Sequence, residues 1–365
     1  MDAFRDGPVA RIDRRALALN LGVARARAAG SRVLAVVKAD AYGHGALWAA
    51  RAFAAADGLA VARTSEALVL RRAGIDRTIL VLGGFSDREA LAQIAAERLD
   101  AVVHAHQQVE MLRSRHEGAP VRVWVKVDTG MHRLGFPPAE LPAVWNALAH
   151  LSSVAQPVHL MSHFARADEP DGTATARQIA CFDEALAGLG ASAPPPASLA
   201  NSAAVLEAPA AHREWVRPGV MLYGIAPMVG GRAADHGLRP AMTLTAPLVA
   251  VKTIEAGSPV GYGGVWTAPA RMRLGLAAIG YADGYPRHAP SGTPVLVGGR
   301  RAALAGRVSM DLIAIDLRGC PEARAGDPVT LWGDGLPVEE VAEAAGTIGY
   351  ELVTRLGPRV ERIVR

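Results

Sequence analysis

Leu34-Ala35-Val36-Val37-Lys38-Ala39-Asp40-Ala41-Tyr42-Gly43-His44-Gly45 is the stretch that decides the fold. An apolar run ends on a lysine and passes at once into a glycine-marked turn, the way a buried parallel strand reaches its C-terminal end. The lysine stands out by its rarity. Only three of the 39 basic residues in this 365-residue chain are lysine, namely Lys38, Lys126 and Lys252. Where arginine has taken nearly every basic position, the remaining lysines are candidates for work that needs an amine able to lose its proton, which a guanidinium does not do.

Outward from that strand, short β-branched runs alternate with segments rich in Ala, Leu, Glu and Arg, the pattern of βα units around a parallel sheet. Strands are expected near residues 33–38, 58–62, 78–83, 100–104, 121–128, 154–163, 196–200 and 214–222. One intervening helix spans Ser86 to Leu99, with Ser86 and Glu89 spaced as a capping box. Eight units in about 230 residues match a (β/α)8 TIM-type barrel, whose chemistry lies at the C-terminal ends of its strands. After residue 238 the texture becomes rich in Val, Thr, Gly and Pro, with alternating runs at Met242 to Val251, Met272 to Ile279, Thr293 to Val297 and Val329 to Trp332 and a helix at Val338 to Ala345. The expectation is an α/β barrel over residues 1–238 followed by a mainly β C-terminal domain over 239–365.

Composition excludes several classes. Half the residues are hydrophobic, a fifth are charged and the net charge is +4. The arginines are scattered without a basic block, so no nucleic-acid partner is expected. No run approaches the ~20 uncharged residues of a membrane span, and Met1 to Pro8 lacks a signal-like apolar stretch, so a cytoplasmic protein is expected. Cys181 and Cys320 lie far apart without metal-ligand spacing and read as small core residues, and no metal site is expected.

The strand ends collect polar residues that an ordinary core would not place there. Arg133 follows the fifth strand in Lys126-Val127-Asp128-Thr129-Gly130-Met131-His132-Arg133-Leu134-Gly135-Phe136; His163 ends the sixth; Asn201-Ser202 ends the seventh. Arg217-Pro218-Gly219-Val220-Met221-Leu222-Tyr223-Gly224 ends the eighth. Amides around Ser202, Gly219 and Val220 fall in the loops after strands seven and eight, where such barrels bind phosphate. An amine at one end and a phosphate cradle at the other suit pyridoxal 5′-phosphate (PLP), with Lys38 as the amine that carries it.

These residues resemble the alanine racemases, PLP enzymes built on a barrel plus a β domain. The resemblance spans the whole chain and rests on an ordered set of motifs. They are Val37 to Gly45, Lys126 to Gly135, Arg217 to Gly224, Gly280-Tyr281-Ala282-Asp283-Gly284-Tyr285-Pro286-Arg287 and Gly306-Arg307-Val308-Ser309-Met310-Asp311. It implies that Lys38 is the base on one face of the substrate Cα and Tyr262 the base on the other, since inversion requires a proton to leave one side and return from the opposite one. A free tyrosine, with a pKa of about 10, needs surroundings that stabilise its phenolate. The resemblance assigns that task to a hydrogen-bonded chain through His163 and Arg217.

By the same resemblance, Arg217 faces the pyridine nitrogen and leaves it unprotonated, which suppresses side reactions such as transamination. Arg133 and the Met310 amide engage the substrate carboxylate, Tyr42 and Tyr350 the phosphate. Lys126 sits at a position often carbamylated, where added negative charge would fix Arg133. Asp168, Arg287, Arg307 and Ile348 match a narrow entrance corridor, which suits alanine as substrate. Tyr262 and Met310 come from a second subunit in the family, so a homodimer with shared active sites is implied. Two positions depart from the pattern: Ser198, where many members place a histidine under the pyridine-facing arginine, and Trp266, where a tyrosine is common.

Plainer readings accompany these. Lys38 as a snorkelling strand-end residue fits poorly beside Tyr42-Gly43-His44-Gly45, whereas Lys252 alternates with Val249 and Val251 and reads as a solvated strand face. His104 and His106 lack a third ligand and read as structural. Asp283 and Asp311 read as loop-holding hydrogen-bond acceptors. For Lys126 the plain reading is a strand lysine paired with Asp128. The rival functions are a broad-specificity amino-acid racemase, a PLP decarboxylase, which would place a glutamate where Arg217 stands, and a non-catalytic PLP-binding protein, which would resemble the barrel alone.

Overall fold

Eight parallel strands pair in chain order and close on themselves: Arg32–Val36, Gly58–Val61, Thr78–Val81, Asp100–Val103, Val121–Lys126, Val154–Met161, Ala197–Ser198 and Trp215–Val216. The ring closes through Arg32 opposite Trp215 and Val33 opposite Val216. This computed structural model describes residues 7–191 and 193–365, so the reading of the first six residues lies outside the described residues. All eight expected runs form strands, most of them shorter than expected at the C-terminal end. The eighth stops after two residues because Pro218 has no N–H to give the ladder. Gly58 permits the tight interior packing of strands one to three, since a Cβ there would lie 2.7 Å from Leu34 Cδ2 and 2.9 Å from the Thr78 carbonyl.

The expected capping box is a correction. The helix Arg88–Ala96 is capped by Asp87, whose carboxylate accepts from the Ala90 N–H at 2.8 Å, while the Ser86 hydroxyl donates to Asp87. Asp outcompetes its serine neighbour because the helix begins one residue later than the spacing implied.

The second unit is an eight-stranded sheet organised around one long bent strand, Met242–Ile254. That strand pairs with Pro328–Trp332 and, beyond a bulge at Leu248/Ala250, with Met272–Ala277. The bulge lets one strand serve both ends of the sheet. Arg300–Leu304, Ile313–Asp316, Glu361–Val364, the short helix Gly349–Thr354 and the pair Pro259–Val260 with Trp266–Thr267 were not foreseen. Nor was Val9–Ile12, which lies in this sheet between Met242–Ile254 and Glu361–Val364. One continuous apolar core runs from the barrel into the sheet. Among the described residues, no helix is long and apolar enough to cross a membrane. Cys320 is buried, but Cys181 is only half-buried on its helix, so the core reading holds for one cysteine.

Candidate active site

The first barrel strand ends at Val36, and Lys38 opens a turn of unusual hand. Ala39, Asp40, Ala41 and Tyr42 have φ of 53°, 51°, 54° and 53°, a left-handed turn built without glycine that costs roughly 1–2 kcal/mol per residue. Its neighbours hold it. Glu66 accepts from the Ala39 N–H at 2.7 Å with one oxygen and from the Ala62 N–H at 2.7 Å with the other. Asp40 accepts from the Ala46 N–H at 2.7 Å. Buried His44 turns its Nδ1–H toward the carbonyls of Tyr42 and Ala41, at 2.8 and 3.1 Å, and burial pushes its pKa down to about 4. From the sheet unit, Arg362 Nε donates to the Gly43 carbonyl at 2.9 Å.

The turn delivers Tyr42 to the loops after the seventh and eighth strands. A Cβ on Gly219 would lie 2.5 Å from the Tyr42 hydroxyl, so glycine lets that hydroxyl pack directly against the loop backbone. The Ser202 hydroxyl accepts from the N–H groups of Gly219 and Met221 at 2.8 and 3.3 Å, drawing the two loops together ahead of buried Val220. Asn201 caps the helix Ser202–Glu207 by accepting from the Ala204 N–H at 3.1 Å. Tyr42 stacks on Tyr223 with ring centres 4.7 Å apart and faces Tyr350 at 6.1 Å. Burial raises the pKa of Tyr42 and Tyr350, so both remain hydroxyl donors.

Basic groups gather around Arg217. Arg217 is 4% exposed and donates to the carbonyls of Ser162 at 2.6 Å and Leu199 at 3.2 Å and to the Ser198 hydroxyl. Ser198 in turn donates to the Trp215 carbonyl at 2.8 Å, so a serine hydroxyl together with two backbone carbonyls supports the guanidinium here. Burial pushes Arg217 down to about 10, which still leaves it charged at neutral pH. Its Nη2 lies 3.5 Å from His163 Nδ1, and burial plus the charges of Arg217, Lys126, Arg133 and Lys38 hold His163 well below its ordinary range, hence neutral.

The two lysines respond to the same crowding. Burial and Arg133 lower the Lys38 pKa, opposed by Glu66. Burial, Arg133 and Arg217 take Lys126 down to about 8. Lys126 does not pair with Asp128, whose carboxylate is taken up by the N–H groups of Gly130, Met131 and His132 at 3.0–3.1 Å. The result is five basic side chains with their nearest carboxylates committed to backbone amides. Such a site has room for anionic charge that the chain itself does not supply.

Tyr262 and Met310 stand elsewhere, on loops of the sheet unit, 68% and 51% exposed. Neither contributes to the electrostatics of Lys38, Lys126 or His163. Arg307 lies beside the Tyr262 loop, where a Cβ on Gly263 would come 3.1 Å from its guanidinium; it and Arg287 are exposed. Asp168 acts electrostatically on Tyr350, and exposed Ile348 precedes the helix that carries Tyr350. Lys252 is exposed on its strand. His104 contacts the Gly83 carbonyl at 3.2 Å and His106 pairs with Glu140 at 2.7 Å. Asp283 and Asp311 both pair with Arg359, at 3.1 and 2.8 Å, which ties three loops together.

Two residues near the site were missed in the sequence. Glu66 is the third residue of the helix Thr64–Arg72, and its spacing marks a helix N-terminus without revealing that it also reaches back to Ala39. Gln178 is an ordinary glutamine in an amphipathic helix, and nothing in the sequence distinguishes it.

Family models described as alanine racemase, N-terminal domain, and alanine racemase, C-terminal domain, match residues 12–227 and 241–364. The chain is 51% identical over 353 residues to an alanine racemase of Shewanella baltica (strain OS195), covering 97% of this chain and 98% of that one. An alanine racemase of Nitrosospira multiformis is 50% identical over 355 residues, covering 96% and 98%. Among solved structures, the biosynthetic alanine racemase from Pseudomonas aeruginosa superposes with a TM-score of 0.94 at 47% identity, over 99% of this chain and 100% of that one. The alanine racemase from E. faecalis gives 0.89 at 32% identity over the full length of both.

Proposed function

The chain belongs to the alanine racemase family of isomerases, and from that premise we propose that it interconverts L- and D-alanine with PLP by a two-base mechanism. The observation that carries the reading is the pair of groups at the strand ends: Tyr42, Ser202 and Gly219 drawn together by the loops after the seventh and eighth strands, and the basic cluster of Lys38, Lys126, Arg133, His163 and Arg217. A ligand with a phosphate at one end and a carboxylate at the other satisfies both. The residues fit PLP on this chain's own chemistry, since the Tyr42 hydroxyl, the Ser202 hydroxyl and the Gly219 backbone come together as polar groups that suit a phosphate and the depressed Lys38 amine suits a covalent link. Tyr42, Asn201, Ser202, Gly219, Val220 and Tyr350 would hold the phosphate, Lys38 the aldehyde carbon, and Arg217 the ring nitrogen.

When bound, PLP withdraws electrons from the substrate Cα and makes its proton removable. Lys38 Nζ, freed when the substrate's amine takes its place on the aldehyde carbon, then takes or returns that proton on one face. Its lowered pKa keeps more of the amine neutral at working pH, as a base requires. Tyr262 Oη serves the other face and must come from a second copy, because within one chain it projects to solvent. His163, neutral and within reach of Arg217, would orient that phenol. The Arg133 guanidinium and the Met310 amide hold the substrate carboxylate.

Lys126, with its pKa near 8, has a neutral fraction that can add carbon dioxide. The amine nitrogen bonds to the carbon, one proton is released, and the resulting carbamate anion is held by Arg133. Asp168, Arg287, Arg307 and Ile348 would form the entrance corridor. Two units, 1–238 and 239–365, divide the labour, with Val9–Ile12 anchored in the second sheet. In the cell the product would be cytoplasmic D-alanine for peptidoglycan, or L-alanine recovered for catabolism.

The test is incubation of PLP-loaded enzyme with L-alanine in D₂O, following chirality and Cα deuterium together. Deuterated D-alanine that disappears in Lys38→Ala is the expected result. Exchange with retained configuration would remove Tyr262 as second base, and absence of both would favour a protein that only binds PLP.

A further inference from the structure

One glutamine sews together the two loops that carry the substrate-facing arginine and the site histidine. Gln178 lies on the helix Thr173–Ala187 and is 5% exposed. Its Oε1 accepts from the Ala165 N–H at 2.9 Å, while Nε2 donates to the His163 carbonyl and to Thr129 Oγ1, both at 3.1 Å. One amide N–H and one carbonyl among the partners fix which way the side-chain amide points. Thr129, having accepted, has its own hydrogen for Ser162 Oγ at 2.8 Å, and Ser162 passes its hydrogen to the Val127 carbonyl at 2.9 Å. Donation therefore runs in one direction from the helix to the residue beside Lys126. The backbone of the same Ser162 accepts from Arg217 at 2.6 Å.

We propose that Gln178, Thr129 and Ser162 form a directed hydrogen-bond chain that sets the positions of His163 and of the Arg133 loop, and through them the proton transfer on the Tyr262 face. The inference rests on the function proposed above and names positioning residues for it. None of the three is required to touch a reacting atom. Their leverage is geometric, because His163 is held through its backbone carbonyl while its ring meets Arg217 at the outer limit of a hydrogen bond, 3.5 Å. A small slide of the loop breaks that contact, and Lys38, on a different strand, is untouched by it.

Two near-isosteric variants cut the chain at different links. Thr129→Val removes the relay hydroxyl. Gln178→Glu retains the acceptor for Ala165 but turns a carboxylate oxygen toward the His163 carbonyl. For each, and for the double variant, kcat and KM per bound PLP are measured in both directions with α-deuterated L- and D-alanine, and the His163 imidazole ¹⁵N signals are recorded in the PLP-free protein. The expected result is a fall in kcat of about tenfold or more, as displacements of order 1 Å cause. KM changes little, the α-deuterium effect grows for one enantiomer only, the His163 signals shift, and the double variant is no worse than the more impaired single one. The proposal is overturned if the variants lose only thermal stability, with kcat per bound PLP and the His163 signals unchanged, or if the isotope effect changes equally for both enantiomers. If Gln178→Glu does not fold, Thr129→Val decides alone. Wild-type enzyme that fails to racemise in the same assay would count against the function itself rather than against this chain of hydrogen bonds.

Discussion

Lys126 is a buried amine whose charge works against folding. Its amine is driven from 10.5 to about 8 by burial and by the charges of Arg133 and Arg217. Below pH 8 the lysine is charged in both folded and unfolded chains, so folding bears the full cost of burying it. Between pH 8 and 10.5 the folded chain has released the proton and the unfolded chain has not, so stability rises with pH across that window. In carbon-dioxide-free buffer, PLP-free Lys126→Met is therefore expected to be more stable than wild type at pH 7. The gain should be on the order of 1–2 kcal/mol once partial solvent screening is allowed for, and the gap should close toward pH 10.5. Added bicarbonate should reverse the order by converting the amine to an anion. Denaturant unfolding at a series of pH values checks this, and a pH-independent gap would contradict it. The lysines were legible in the sequence because they are rare in this chain. Glu66 and Gln178 were not, since acids and amides are common on helices and their roles depend on how far a side chain reaches between elements.

The element that matters most is the left-handed turn Ala39–Tyr42, which sets the Tyr42 hydroxyl against Gly219. Its location after the first strand was legible from the glycines and the lysine, but its hand was not, because Ala, Asp and Tyr all favour the opposite one. The tertiary ties from Glu66 and Arg362, with the local bonds of buried His44, override that preference. Ala39 is exposed, so Ala39→Gly should relieve backbone strain at little packing cost, offset by the freedom glycine gains when unfolded. Stability is expected to hold or to rise by up to about 1 kcal/mol, where the same change in a right-handed helix costs about that much. Gly43→Ala should do the reverse, since its Cβ would lie 2.1 Å from the Val353 carbonyl. A loss of about 2 kcal/mol or more is expected, together with weaker PLP retention. Thermal melts and cofactor absorbance read both, and a destabilised Ala39→Gly or a silent Gly43→Ala would contradict the account. The Ser86 cap failed for a simpler reason, that an aspartate next to it competes for the same amide.

At the scale of the molecule, the barrel was readable because each strand is a short apolar run followed by a helix. The sheet was only half readable. Val9–Ile12 and Glu361–Val364 find their partners from the two ends of the chain, which no local pattern reports. The site, too, is split by distance. One copy gathers Lys38, Arg217, Tyr42 and Ser202 at the barrel's strand ends, while Tyr262 and Met310 are exposed on the sheet unit. On the proposed function, a working site needs a barrel from one copy and a sheet from another. Mixing Lys38→Ala with Tyr262→Phe after dissociation and reassociation tests it most directly, by measuring L- to D-alanine conversion. Each variant alone should be nearly inactive. Random reassociation into two-fold dimers should restore about one quarter of wild-type activity, because half the dimers are mixed and each of those has one intact site. A mixture that remains as inactive as its parents, although the variants exchange subunits and bind PLP, would contradict the account.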